Sequence, residues 1–410
     1  MVLYDLSIYL VSFHLKIIGL FNHKLKLGVE GRSKTFEILS KSINSEDKVI
    51  WFHCASLGEY EQGLPVFKAL RKTNSKHKIV LSFFSPSGYE IRKNTKVADI
   101  VVYLPFDTKK NARRFLDIVN PELTIFVKYD IWPNFLNELK SRNLKAYLIS
   151  AAFRKNQVYF KSYGKKLRKA LSAFEHIFVQ NEQSKTLLES IDLTQVTVSG
   201  DTRYDRVSDQ LNQDNNLDFI SEFKQDKLCI VIGSSWPEDD ELIIEYINNH
   251  VNLDVKYIIA PHNIKNNQIE YLSSKIKLPS VRFTQKDQKE LSTYSVFIID
   301  TIGLLSKIYS YGDIAYVGGA MGTTGLHNIL EPAVFGIPIL IGNHYDKFPE
   351  AFQMIDNAGV KSVNNSETLD FELSNIITNS ELRLKLGELN SNFIKKNTGA
   401  LIQILNSIRI

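Results

Sequence analysis

The sequence predicts an α/β protein built as two halves, each a parallel sheet covered by helices. Three observations carry this. The chain has 410 residues, enough for two domains of ordinary size. From Lys48 to Gly200, apolar strand-like runs alternate with amphipathic stretches mostly long enough for a helix. After a polar interval the alternation starts again. Continuous Val/Ile/Leu runs between helices mark strands buried on both faces, as in a parallel sheet.

The chain opens with "MVLYDLSIYLVSFHLKIIGLF", apolar but interrupted by Asp5, His14 and Lys16. It has neither the basic start nor the small-residue end of a cleaved signal peptide. Its charges also argue against a full span, which needs about 20 nearly uncharged residues. The basic stretch "HKLKLGVEGRSK" follows. Residues 1–24 are therefore expected to form an apolar anchor helix on an anionic membrane surface. The alternative is a helix packed on the protein's own surface.

Residues 25–210 form the expected first domain, with the runs "KVIWFHC", "KIVLSFF", "IVVYLP", "LTIFVKY", "KAYLISA", "HIFVQ" and "VTVSG". Residues 211–226 are rich in Asn, Asp and Gln and read as a linker. Residues 227–410 form the second domain, with "LCIVIGSS", "KYIIAPH", "VFIIDT", "IAYVGG" and "IPILIG". Ligands of such sheets bind at the carboxyl ends of the strands, so a cleft between the two domains is the expected site.

Composition narrows the class. Hydrophobic residues make up 44% and charged residues 23%, as in a packed globular protein and unlike a disordered one. The net charge of +5 suits an anionic partner. Cys54 and Cys229 each sit in an apolar run, as core thiols do, and a disulfide is not expected. No C-x-x-C, H-x-x-x-H or D-x-D spacing occurs, so no metal is expected.

Several stretches could carry chemistry. "YVGGAMGTTGLHNILEP" places four glycines after a strand and before a helix, which favours a phosphate. Asn328 with Glu331 also fits a capping box that needs no ligand, and both readings stand. His262 in "IIAPHN" and the turn Ile302-Gly303-Leu304 follow strand-like runs of the same domain. "EDDE" after Pro237 reads as surface charge favoured by a helix dipole. In the first domain, Ser56 with Glu59 again fits a capping box, while Lys128 and Asp130 close a strand before Trp132-Pro133. Arg154, Lys161, Lys165, Lys166, Arg168 and Lys169 interleave with Tyr159, Phe160 and Tyr163. That pattern, beside the basic N-terminal flank, reads as a basic aromatic helix for a membrane surface, with nucleic acid or an ordinary solvated helix face as the alternatives.

Taken in order, "FHCASLGEYEQG", "SPSGYE", "YLPFDT", "DIWPN", "VSGDTRYD", "IGSSWPEDDE", "IIDTIGLLSKIYSYGDIAYVGGAM" and "GLHNILEPAVFGIPILIG" make the chain resemble the 3-deoxy-D-manno-octulosonic acid (Kdo) transferases of lipopolysaccharide synthesis. The resemblance covers nearly the whole length. It implies a GT-B glycosyltransferase, two Rossmann-like domains facing a cleft, that inverts without a metal or cofactor. The donor would be CMP-Kdo and the acceptor the 6′-hydroxyl of a lipid A precursor, at the cytoplasmic face of the inner membrane. Glu59 falls on the family's catalytic base, and Asp130 and Arg203 on neighbouring site positions. Arg203 stands where the family usually has lysine and would face the leaving phosphate. His262, Ile302-Gly303-Leu304 and Asn328-Ile329-Leu330-Glu331 fall on CMP-binding segments, with Glu331 on the ribose. The family's usual Glu-x-Glu-Leu-Trp-Pro-Asn is here Lys128-Tyr129-Asp130-Ile131-Trp132-Pro133-Asn134, and its Pro-Arg-His is Pro261-His262-Asn263. Other readings are a UDP-sugar transferase or epimerase, or a non-catalytic glycolipid-binding membrane protein.

Overall fold

The computed structural model describes residues 2–409, without the side chains of Val2, Leu3 and Lys166. Two compact units emerge: Met1–Arg206 together with Thr398–Ile410, and Val207–Asn397.

The first unit holds seven strands: β1 (Val49–Cys54), β2 (Lys78–Phe83), β3 (Ile100–Tyr103), β4 (Leu123–Val127), β5 (Lys145–Ala151), β6 (His176–Val179) and β7 (Val196–Val198). Their order is β3-β2-β1-β4-β5-β6-β7, and every pairing is parallel. The order reverses between β1 and β4, so the loops leaving Cys54 and Val127 flank the crevice where such sheets bind ligands. β1 is buried along its whole length, because helices cover both faces. On one face Trp51 packs against Phe115, Phe126 and Phe135, with ring centroids 4.8, 5.3 and 5.8 Å away. On the other, Phe52 stacks on Phe67 at 4.1 Å.

The second unit repeats the plan with β8 (Leu228–Ser235), β9 (Val255–Pro261), β10 (Ser280–Arg282), β11 (Val296–Ile298), β12 (Ile314–Val317), β13 (Ile339–Ile341) and β14 (Val360–Ser362). The order is β10-β11-β9-β8-β12-β13-β14, again all parallel. Its switch point lies between β8 and β12.

The expected domain limits need two corrections. Residues 211–226 are not a free linker. The helix Asp218–Lys224 buries Ile220 and Phe223, and Lys224 Nζ reaches Asp313 at 2.8 Å, which ties the segment to the second unit. Residues 398–410 do not belong with 227–397. The helix Ala400–Ser407 puts Ile404 into the first unit's core beside Phe52 and Phe67, and Asp205 accepts the Gly399 N–H at 2.9 Å.

At the N-terminus, α1 (Val2–Ile18) and α2 (His23–Ser42) form as a pair. No described helix is long and apolar enough to cross a membrane. Tyr4, Asp5, Ile8, Ser12 and Leu15 recur at helical spacing on the half-buried face of α1. Tyr4 donates to Asp107 at 2.9 Å and Asn134 donates to Asp5 at 2.7 Å. Asp107 is fully buried and also accepts the Asn134 and Phe135 N–H groups, so it caps the helix Pro133–Ser141. The exposed face of α1 is apolar, with Leu6, Tyr9, Leu10, Phe13 and Ile17. Of the basic flank, Arg32 turns inward instead. It lies over Phe84 and Phe106 and donates to the carbonyls of Gly28, Phe84 and Leu104. Both cysteines are free and buried.

Candidate active site

In the first unit, the crevice between β1 and β4 gathers charged side chains from the start of the helix after β1 and from the loop after β4. Ser56 is the N-cap of α3 (Leu57–Thr73), with extended backbone at φ −148°. The expected capping box does not form. The Ser56 hydroxyl makes no bond to a helix N–H and donates to the Glu59 carboxylate instead. Glu59 is 9% exposed, so its carboxylate is held at the crevice rather than spent on the helix end. Lys128, just past β4, brings Nζ to 3.9 Å from Glu59 Oε1. Lys128 adopts φ +70°, a left-handed conformation that costs a non-glycine residue about 1–2 kcal/mol and is held by its N–H bond to the Ile149 carbonyl at 2.9 Å.

Asp130 meets a residue the sequence did not single out. His53 is fully buried in β1, and its Nε2 lies 2.5 Å from Asp130 Oδ2. Trp132 Nε1 lies 3.0 Å from the same oxygen and 3.0 Å from His53 Nε2. Behind His53, Nδ1 lies 2.8 Å from Ser82 Oγ, which also receives the Trp51 indole N–H at 2.8 Å. The available signal was a histidine inside an otherwise apolar strand run, since a buried imidazole must find partners.

Arg203 does not reach out freely. Its Nε donates to Asp201 at 2.8 Å, and Asp201 accepts Gln62 of α3 at 2.8 Å. Glu61, two residues from Glu59, is not an idle surface acid. It pairs with Arg92 at 2.6 Å and Arg206 at 3.2 Å.

The basic segment differs from the expected helix. Val158–Phe160 and Ser162–Gly164 are single 3-10 turns, and the helix begins only at Lys165. Tyr159 and Phe160 turn inward onto Phe153 at 6.1 and 6.0 Å, leaving Tyr163 as the exposed aromatic of the three. Arg154, Lys165 and Lys169 are exposed, Lys161 is half-buried, and half-buried Arg168 bonds the Lys161 carbonyl at 3.2 Å. The side chain of Lys166 lies outside the described residues.

In the second unit, the switch point is occupied by a ring stack. Trp236 follows β8, and its ring stacks on His262 at 4.7 Å. His262 lies 4.4 Å from His327, to which Trp236 Nε1 donates at 3.0 Å. Burial, helped by His262, lowers the His327 pKa to about 4. The "EDDE" acids are not all surface charge: Asp239 and Asp240 are buried. Asp239 accepts N–H groups from Trp236 and Gly319 at 2.9 and 2.8 Å and the Tyr316 hydroxyl at 2.8 Å. It thereby fixes the glycine-rich loop to the helix start, at φ +97° for Gly319, where a Cβ would meet the Gly325 carbonyl.

The Asn328–Glu331 capping box is also absent. Asn328 Nδ2 donates to Glu331 Oε1 at 3.1 Å, and its Oδ1 accepts the Leu330 N–H at 3.2 Å. Ile329 and Leu330 are buried, so only their backbone is available to a ligand. Ile302 is 86% exposed, and Gly303 turns at φ +89°. Among the described residues, no group of three His, Cys, Asp or Glu side chains is arranged to hold a metal ion.

The profile described as 3-Deoxy-D-manno-octulosonic-acid transferase (kdotransferase) matches residues 30–206, the span that holds Glu59, Lys128, Asp130 and Arg203. The chain is 28% identical over 377 residues to the 3-deoxy-D-manno-octulosonic acid transferase of Haemophilus influenzae, covering 88% of this chain and 86% of that one. It is 26% identical over 407 residues to the transferase of the same name from Chlamydia trachomatis, covering 96% and 90%. The first half of the chain matches the Kdo transferase family, and curated Kdo transferases align with it over most of its length. Its two parallel Rossmann-like sheets are of the GT-B kind found in solved structures. A UDP-GlcNAc 2-epimerase from Neisseria meningitidis solved with UDP-GlcNAc superposes with a TM-score of 0.60 at 16% identity, over 87% of this chain and 100% of that one. A glycosyltransferase from Rickettsia africae gives 0.58 at 15% identity, over 88% and 97%.

Proposed function

We propose that the chain is a Kdo transferase that transfers Kdo from CMP-Kdo to the 6′-hydroxyl of a lipid A precursor, with inversion and without a metal. One observation carries the reading. Glu59 sits beside the sheet's switch point, within the matched span, with its carboxylate free of the helix cap. Glu59 takes the proton from the acceptor hydroxyl as that oxygen attacks the Kdo anomeric carbon. The bond from that carbon to the phosphate oxygen breaks, and CMP leaves with the electron pair. CMP is already a good leaving group, so positive charge near the phosphate suffices, and Arg203 is assigned that role.

The second unit is assigned the nucleotide. The Trp236–His262–His327 stack offers a face for a ring, and Glu331, oriented by Asn328, accepts ribose hydroxyls. The exposed apolar face of α1, with exposed Lys165 and Lys169 in the same unit, supports docking on the anionic cytoplasmic face of the inner membrane. The test offers CMP-Kdo and a tetraacylated lipid A precursor and follows CMP release. A UDP-sugar enzyme would leave CMP-Kdo intact, and a non-catalytic lipid-binding protein would turn over neither donor.

A further inference from the structure

Trp51, Ser82, His53 and Asp130 form one line of hydrogen bonds through the first sheet. The Trp51 indole can only donate, and it donates to Ser82 Oγ at 2.8 Å. The Ser82 proton then has two acceptors in reach, His53 Nδ1 at 2.8 Å and the Phe52 carbonyl at 3.4 Å. The shorter bond goes to His53. A neutral imidazole that accepts at Nδ1 carries its proton on Nε2. That proton lies on the 2.5 Å contact to Asp130 Oδ2, and the Trp132 indole N–H, 3.0 Å from both His53 Nε2 and Asp130 Oδ2, then has the carboxylate as its acceptor.

The line has one open end. His53 is fully buried, and the Asp130 side chain is 17% exposed. Both protein donors fall on Oδ2. A carboxylate with one oxygen pinned by two donors has lost its rotational freedom, so the direction of its other oxygen is set as well. That oxygen stands just past β4, at the crevice where the sheet order reverses.

We propose that His53 is a positioning residue: its Nε2–H holds the Asp130 carboxylate so that Oδ1 accepts a hydrogen bond from a hydroxyl of the acceptor sugar. This rests on the chain being a transferase with a hydroxyl acceptor. His53 touches no substrate and acts only through Asp130. A purely architectural His53 would instead serve to satisfy Ser82 and fill the sheet.

Two amide substitutions separate the roles. In His53→Gln the amide nitrogen falls near the Nε2 position and still donates to Asp130, while the Ser82 bond is lost. In His53→Asn the shorter side chain keeps a polar atom near Nδ1 for Ser82 and loses the donor to Asp130. The experiment has two arms on the full chain. Nitrogen-15 NMR of the wild type assigns the His53 tautomer, with the signal identified by its loss in His53→Gln. Steady-state CMP release is then measured for both variants with CMP-Kdo and lipid A precursor, alongside thermal melts.

We expect the proton on Nε2, kcat for His53→Gln within about threefold of wild type, and kcat for His53→Asn lower by about 10²-fold, the loss that accompanies a small misplacement of a site group. KM for CMP-Kdo should be unchanged in both. A proton on Nδ1, or His53→Asn as active as His53→Gln, overturns the proposal. A wild type that does not consume CMP-Kdo overturns the donor reading instead, and the tautomer still decides whether His53 holds Asp130.

Discussion

Lys128 Nζ stands 3.9 Å from Glu59 Oε1, with Glu59 in the first turn of α3 after β1 and Lys128 in the loop after β4. The family's usual acid at position 128 would set two carboxylates near each other. Here an ammonium faces Glu59, while the Ser56 hydroxyl donates to the same carboxylate. Glu59 is thus held and charge-compensated without being a helix cap.

Replacing Glu59 by Gln should leave the fold intact, since the amide oxygen still accepts from Ser56. CMP binding should persist. Turnover should fall by about 10²–10⁴-fold, the usual worth of a positioned base, and the loss should appear in kcat. Steady-state CMP release with a melt and a CMP titration checks all three.

Lys128→Gly probes the strained loop. Glycine adopts φ +70° without steric cost, and this gain offsets the entropy that glycine adds to the unfolded chain. Stability should stay within about 1 kcal/mol of wild type. Turnover should change, because the charge opposite Glu59 is gone. Urea unfolding beside activity measurements separates the two effects.

Glu331→Ala should weaken CMP binding by about 1.5–3 kcal/mol, the value of a hydrogen bond to a charged group. Asn328→Ala should weaken it in the same direction, since Asn328 Nδ2 orients that carboxylate. Calorimetric titration of CMP reads both.

The His327 stack makes the protein acid-sensitive. Burial lowers the His327 pKa to about 4, against about 6.5 in an unfolded chain. Between these values the unfolded state binds the extra proton, so stability is full above about pH 6.5 and is lost as pH falls toward 4. At pH 5 the loss should be about 2 kcal/mol relative to pH 7, and His327→Gln should remove it. Urea unfolding at both pH values, wild type against variant, is the measurement.

Much of this was legible in the sequence for a simple reason. Strands buried on both faces must be apolar throughout, so runs such as "KVIWFHC" and "KYIIAPH" announce the sheets. The parts that were not legible depend on side chains meeting across the fold. Ser56-x-x-Glu59 has the spacing of a capping box, yet the hydroxyl turned to the carboxylate instead of the helix. Asp239 looked like dipole-favoured surface charge, but the glycine loop folds over it and supplies its donors. His53 finds Asp130 77 positions later only because β1 and β4 pair in the sheet. Ile404 enters the first core from the far end of the sequence, which no local pattern announces.

The proposed reaction moves Kdo from a cytidine nucleotide to a lipid-borne hydroxyl through Glu59. The most direct measurement incubates wild type and Glu59→Gln with CMP-Kdo, with and without tetraacylated lipid A precursor, and quantifies CMP and the glycosylated lipid. Wild type should release CMP only with the acceptor present, matched by Kdo-bearing lipid, and the variant should give about 10²–10⁴-fold less of both. Wild type that leaves CMP-Kdo untouched, or a Glu59→Gln variant that transfers Kdo as fast as wild type, would contradict it.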